Sequence, residues 1–357
     1  MIIPEGSHFC CLALSGPHLR VKQEYGVLPG LTVSHVQDAF ELEPHWVEWL
    51  GTIQADSFRE SSLFITAVVD GLHIRTQGLP LHQFLDNRVR LFHYALVLLG
   101  CGYNQAVLMV GGEKYHGGSL HIGPVRSGLT PCFRPYYRKS KKIEPSDLER
   151  AAVILHNLEL IYRHVPGRLY RRLRKGFNVW TRGTQEGEEW IERLHSFVRA
   201  TEAILKPTIA RKRSARARKQ SKTAKKQWRD VTPTFIKRGQ TIIGYSKKSD
   251  KLLRQLYDIR SSVEHIKDIM PSVMKERGID SDETFGFRAL QAEILANTIY
   301  SRILSDEELL NAFSTEAKVE GFWNRVGHQR QSLWGDVIDL DAEARQSFFS
   351  QVIPDFY

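Results

Sequence analysis

Between Lys251 and Met270 the apolar residues Leu252, Leu256, Ile259, Val263, Ile266 and Met270 recur at spacings of 4, 3, 4, 3 and 4. That alternation marks a single buried stripe on a helix and commits this stretch to packing against other helices. With Ile259 at 0° and a step of ~100° per residue, Arg260 falls near ~100° and His265 near ~240°. Both point away from the stripe. Tyr257, Arg254, Ser261, Glu264 and Asp268 fill the arc between them. A face that carries an arginine, a histidine, a serine and two carboxylates is either solvated or used. On the solvated reading, Arg260 and Glu264 form an i,i+4 pair worth a few tenths of a kcal/mol, and Glu264 and Asp268 are surface charges.

Similar periodicity predicts further helices. Pro145, with Ser146, Asp147 and Glu149 in the same turn, opens one that continues through Leu148, Ala151, Ala152, Leu155, Leu158 and Ile161. A polar, basic stretch from Arg163 to Gly187 interrupts. A second helix is expected from about Glu188 to Leu205, stopped by Pro207, then the helix over Ser249–Met270, one over Asp282–Leu304 and one over Asp306–Glu320. Four or five antiparallel helices of this length make an up-and-down bundle.

The first 140 or so residues look different. β-like runs occur at Phe9–Leu14, Ser62–Val69, Ala106–Val110 and Ser119–Val125, with one helix over Leu79–Leu99 and a short one from Pro44. Trp46, Trp49, Phe58 and Phe64 read as core. The glycine pairs at 111–112 and 117–118 fit no phosphate-binding loop and are expected as turns. The fold class is therefore α+β: a mixed N-terminal module over 1–143, an all-α bundle over 144–320 with a basic insertion at 207–232, and a C-terminal extension over 321–357.

The basic charge is concentrated. Arg211–Arg229 holds ten basic residues in nineteen and no acidic one: Arg211, Lys212, Arg213, Arg216, Arg218, Lys219, Lys222, Lys225, Lys226 and Arg229. Without those ten, the 50 basic residues fall to 40 and match the 40 acidic ones, so the net charge of +10 comes from one segment of a neutral body. Such a segment, with Trp228 for base stacking, suits an RNA-binding arm. A basic loop kept for solubility or a localisation signal has the same composition.

Other classes find no support. No apolar run reaches the roughly 18 residues of a membrane span, and the N-terminus lacks the pattern of a secretory signal. Cys10, Cys11, Cys101 and Cys132 form no C-x-x-C, so the expected home is a reducing cytoplasm. The scattered histidines lack metal-ligand spacing, and Gly-x-Ser-x-Gly is absent, so no metal, cofactor or serine nucleophile is expected.

The segment Leu256-Tyr257-Asp258-Ile259-Arg260-Ser261 with His265 resembles the R-x4-6-H signature of HEPN domains, and most closely the Apea-like group. Arg199-Ala-Thr-Glu202-Ala-Ile204-Leu205 is similar to that group's earlier Arg/Glu helix, and Phe235-Ile-Lys-Arg238 to its Phe-x-x-Arg stretch. The resemblance covers roughly residues 186–305. It departs from the pattern at Ile266, where many relatives have glycine, and at Ser261, where Asn, Asp or His is common.

The resemblance implies a HEPN-type bundle that dimerises and cleaves RNA without metal, in antiviral defence or as a toxin. His265 would move protons, its ordinary pKa being near neutrality; positioned proton transfer is worth ~10²–10⁴-fold. Arg260 would bind the phosphate through two parallel hydrogen bonds. Ser261, Glu264 and Tyr257 would orient substrate or His265. Two copies about a two-fold axis would complete the site. The expected partners are RNA, a second copy of the chain, and a protein or phage-derived trigger at the N-terminal module. The alternatives are a catalytically inactive HEPN dimerisation or adaptor module that binds RNA, nucleotide or a protein, and a pure RNA-binding protein.

Overall fold

The computed structural model describes residues 3–16, 19, 21–35, 42, 44–70, 80–101, 107–117, 120–122, 126–127, 142–163, 169–184, 190–207, 231–264 and 282–352. The chain divides into two compact units, Met1–Arg163 with Thr184–Glu186, and His164–Gly183 with Gly187–Tyr357.

The first unit is built on an antiparallel sheet of β1 (Ser7–Leu14), β2 (Tyr25–Leu28), β3 (Leu31–Ser34), β4 (Leu63–Asp70), β5 (Val107–Lys114), β6 (Leu120–Ile122) and β7 (Arg126–Ser127). The order is β2-β3-β4-β1-β5-β6, and β7 also pairs with β5. β1 is central, with Cys10 opposite Ala67 on one side and Gly111 on the other. Its run of apolar residues follows from burial on both faces. Phe9, Cys11 and Ala13 join Phe58, Phe64, Val110 and Ile122 in a core that also takes Leu50 of α1 (Pro44–Leu50) and Ala55 of α2 (Thr52–Arg59). On the opposite face Cys10 meets Asp86 of α3 (Leu81–Leu98), its Sγ 3.5 Å from the carboxylate. Burial pushes the Cys11 thiol up to about 12 and holds that of Cys10 well above its ordinary range, so the pair stays protonated and unreactive.

Three expectations are corrected here. Gly111 and Gly112 lie inside β5, opposite Cys10 and Phe9 of β1, rather than in a turn, and β6 comes so close that a Cβ at Gly112 would collide with the His121 carbonyl. Trp49 is 63% exposed, whereas Phe58 and Phe64 are buried. The boundary falls after Arg163, not at 143: α4 (Pro145–Arg163) packs its predicted apolar stripe on α3, with Arg88 and Glu159 paired at 3.7 Å.

The second unit is helical. Its described helices are α5 (Arg171–Gly183), α6 (Trp190–Leu205), α7 (Val231–Ile243), α8 (Lys247–Glu264), α9 (Asp282–Ser305), α10 (Glu307–Ala312), α11 (Glu316–Trp323), α12 (Gly327–Trp334) and α13 (Leu340–Val352). α6 is the hub and touches α5, α7, α8 and α9. Buried Phe177, Trp180, Leu194, Phe197, Ile204 and Tyr300 fill the centre. Two buried polar groups are satisfied across it: the Trp180 indole donates to Asn297 at 2.7 Å, and the Tyr300 hydroxyl donates to the Ala200 carbonyl at 2.9 Å.

The basic stretch over 163–187 is not an interruption, since most of it forms α5. The expected helix over 306–320 is two helices. The first ends at Ala312 with Phe313 as its C-cap, and Thr315 caps the second by accepting a hydrogen bond from the Lys318 amide. The 321–357 extension carries α12 and α13, and Trp334 closes an aromatic cluster with Phe313, Phe322 and Trp323. Among the described residues no helix is long and apolar enough to cross a membrane.

Candidate functional site

α8 buries Leu252, Leu256 and Ile259, as its spacing predicts. Arg260 does not lie on a solvated face, however. It is 9% exposed, because α6 covers that side of the helix with Glu202, itself 7% exposed. Arg260 Nη2 and Glu202 Oε2 are 2.7 Å apart, and Arg260 Nη1 pairs with Glu264 one turn along α8. The guanidinium carbon sits 5.6 Å from the centre of the Tyr257 ring, which packs in turn on Phe235 of α7 at 5.2 Å. Burial, and then the nearby Glu202 carboxylate, raise the Tyr257 hydroxyl above its ordinary value. Ser261 is half-buried beside them.

α6 contributes more than Glu202. His195, Arg199 and Glu202 are spaced i, i+4 and i+7, which aligns them on one face of the helix. Arg199 lies 4.0 Å from Glu264. Burial lowers the pKa of His195, and the cations Arg199 and Arg260 lower it further against the pull of Glu192 and Glu264. Its Nε2 is buried, with no hydrogen-bond partner among the described residues. His195 is the member of this group that sequence reasoning missed. The signal that could have found it is its register with Arg199 and Glu202.

Arg260 forms part of the wall of a groove of about 880 Å³ in the helical unit. Among the described residues the groove is lined by the cations Arg171, Arg172, Lys175, Arg182, Arg199, Lys206 and Arg260 and by two carboxylates, Glu202 and Glu316. Both carboxylates are already engaged, Glu202 by Arg260 and Glu316 by Arg172. The apolar part of the lining comes from Val179, Ala203 and Pro207. Gly176 lets α5 approach α6 closely: a Cβ there would collide with the Tyr300 hydroxyl and crowd Ala203.

The C-terminal end of α6 is held by arginines. Arg172 donates to the Lys206 carbonyl at 2.6 Å, and Arg238 donates to those of Leu205 and Lys206 at 3.1 and 3.0 Å. Glu316 and Glu320 of α11 neutralise them, with Arg238 and Glu320 at 2.7 Å. Cations at free helix carbonyls are favourable. Arg238 is therefore an architectural group that fixes where the chain leaves α6.

The structure thus brings together Tyr257, Arg260, Ser261 and Glu264 with Arg199, Glu202 and His195. His265 lies outside the described residues, as does the whole arm: Arg211, Lys212, Arg213, Arg216, Arg218, Lys219, Lys222, Lys225, Lys226, Trp228 and Arg229. No protein-family model, curated protein or solved structure matches the chain.

Proposed function

We propose that the helical unit is a HEPN-type ribonuclease that cleaves RNA without metal, with Arg260 and His265 as its reacting groups. The observation that carries this reading is the position of Arg260 in a groove where, among the described residues, cations outnumber carboxylates. An excess of fixed positive charge attracts a polyanion.

The chemistry follows from the residues. The ribose 2′-oxygen attacks the adjacent phosphorus, a new P–O2′ bond forms, and the P–O5′ bond breaks. One proton leaves the 2′-hydroxyl and one reaches the departing 5′-oxygen. The products are a 2′,3′-cyclic phosphate and a 5′-hydroxyl. His265 handles a proton in this scheme. Arg260 stabilises charge on the phosphate oxygens. Glu202 anchors Nη2 of that guanidinium. Glu264 is the exchangeable partner: it is exposed, and Arg199 stands ready to receive it when a phosphate takes its place at Nη1. Two copies of the chain supply two such pairs of groups to one cleft.

A second reading has its own observation. Two carboxylates already occupy Nη1 and Nη2 of Arg260, which suits a non-catalytic module that binds RNA or a protein partner. Incubation of the purified chain with total RNA in EDTA, beside His265→Ala, separates the two. Cleavage with cyclic phosphate ends, lost in the variant, is the expected result. RNA binding without cleavage selects the adaptor.

A further inference from the structure

The exposed face of α5 carries a row of three cations and one amide. Arg171, Lys175, Asn178 and Arg182 fall at i, i+4, i+7 and i+11, all four are exposed, and all four line the groove. Side chains at that spacing share one face of a helix, and rises of four and seven residues separate Arg171 from Lys175 by about 6 Å and Lys175 from Arg182 by about 10 Å. The first of these is close to the distance between adjacent phosphates along a nucleic-acid strand, and the second is longer, with the neutral Asn178 between the two cations. The opposite face of the same helix buries Leu173, Gly176, Phe177 and Trp180, so the row is fixed to a packed core. Among the described residues no carboxylate pairs with Arg171, Lys175 or Arg182. Lys206 joins the same groove from the end of α6, and the cationic arm follows in sequence after Pro207, which also lines it.

We infer that the Arg171–Lys175–Arg182 row of α5 is a track for the phosphates of one RNA strand, delivering it to Arg260. This rests on the ribonuclease reading for the choice of RNA and of a single strand. In-line attack by a 2′-hydroxyl needs a ribose and phosphate free of the regular A-form helix. A single row of cations also follows one backbone, and the apolar wall of Val179, Ala203 and Pro207 offers a surface for unpaired bases. No substitution of the row touches Arg260, Glu202 or Glu264.

The test is the salt dependence of binding to a short fluorescein-labelled oligouridylate, read by anisotropy on the full chain. The comparison is between wild type and the triple variant Arg171→Gln, Lys175→Gln, Arg182→Gln. Each phosphate contact to a single strand adds about 0.7 to the slope of log affinity against log salt. The triple variant is expected to bind more weakly and to lose about 2 from that slope. The charge-preserving triple Arg171→Lys, Lys175→Arg, Arg182→Lys is expected to keep the wild-type slope, and circular dichroism checks that both remain folded. Should the glutamine triple fail to fold, the single variants each carry the same expectation at about 0.7. An unchanged slope in the glutamine variants overturns the inference. So does tighter binding of an RNA duplex, or equal binding of a polyglutamate peptide, which would point to an acidic protein partner. Strand binding that depends on the row, in a protein that cleaves nothing, leaves the track standing and removes the nuclease. Cleavage that ignores the row does the reverse.

Discussion

Arg260 and Glu202 form a nearly buried ion pair, and the cost of breaking it exceeds what it contributes when intact. Arg260→Ala leaves the Glu202 carboxylate without its partner in a site that is 7% exposed. We expect a loss of about 3 kcal/mol in unfolding free energy, measured by urea denaturation. Arg260→Lys keeps a positive charge opposite Glu202 and is expected to lose less. His195 gives a second expectation. Its folded pKa lies below the ordinary value of 6.5, so the unfolded chain binds more protons between those two values. Stability should therefore fall as pH drops through 6.5 and level off below the folded value. His195→Gln should flatten that part of a plot of Tm against pH. Arg260, Tyr257, Ser261 and Glu264 were legible as one polar arc of a single helix. That Arg260 is buried was not, because a helical wheel records one helix's own stripe and is blind to a neighbour covering its flank.

Helices were legible where their apolar stripe was not outweighed by charge. α4, α6 and α9 lie close to their expected bounds for that reason. α5 was hidden although Leu173, Gly176, Phe177 and Trp180 sit at proper helical spacing. Five cations among its thirteen residues and two glycines made the segment read as a polar interruption. Gly176 is the residue that permits its packing. Gly176→Leu inserts a side chain where even a Cβ meets the Tyr300 hydroxyl and Ala203. Overpacking of this kind typically costs about 1–3 kcal/mol. We expect a lower Tm together with weaker RNA binding, since the α5 row loses its fixed relation to Arg260. In the sheet, β1 and β4 announced themselves as apolar runs. β2 and β3 did not, being four residues each and only partly buried.

At the scale of the whole chain, charge is divided between a neutral body and one arm, but the folded helical unit adds a second cationic feature that composition concealed. Outside residues 211–229 the chain is neutral, yet among the described residues the groove gathers seven cations and two carboxylates. Deleting residues 211–229 removes ten cations and brings the net charge from +10 to zero. The salt dependence of RNA binding should flatten in that variant, yet binding should persist through the groove. The most direct measurement is single-turnover cleavage of a short RNA in EDTA by wild type and by Arg260→Lys, with folding and RNA affinity matched. An ammonium cannot present two parallel donors to a phosphate. A fall of ~10²-fold or more in the cleavage rate, with affinity little changed, is the predicted result. Equal rates in the two proteins, or no cleavage by either, would contradict a catalytic Arg260.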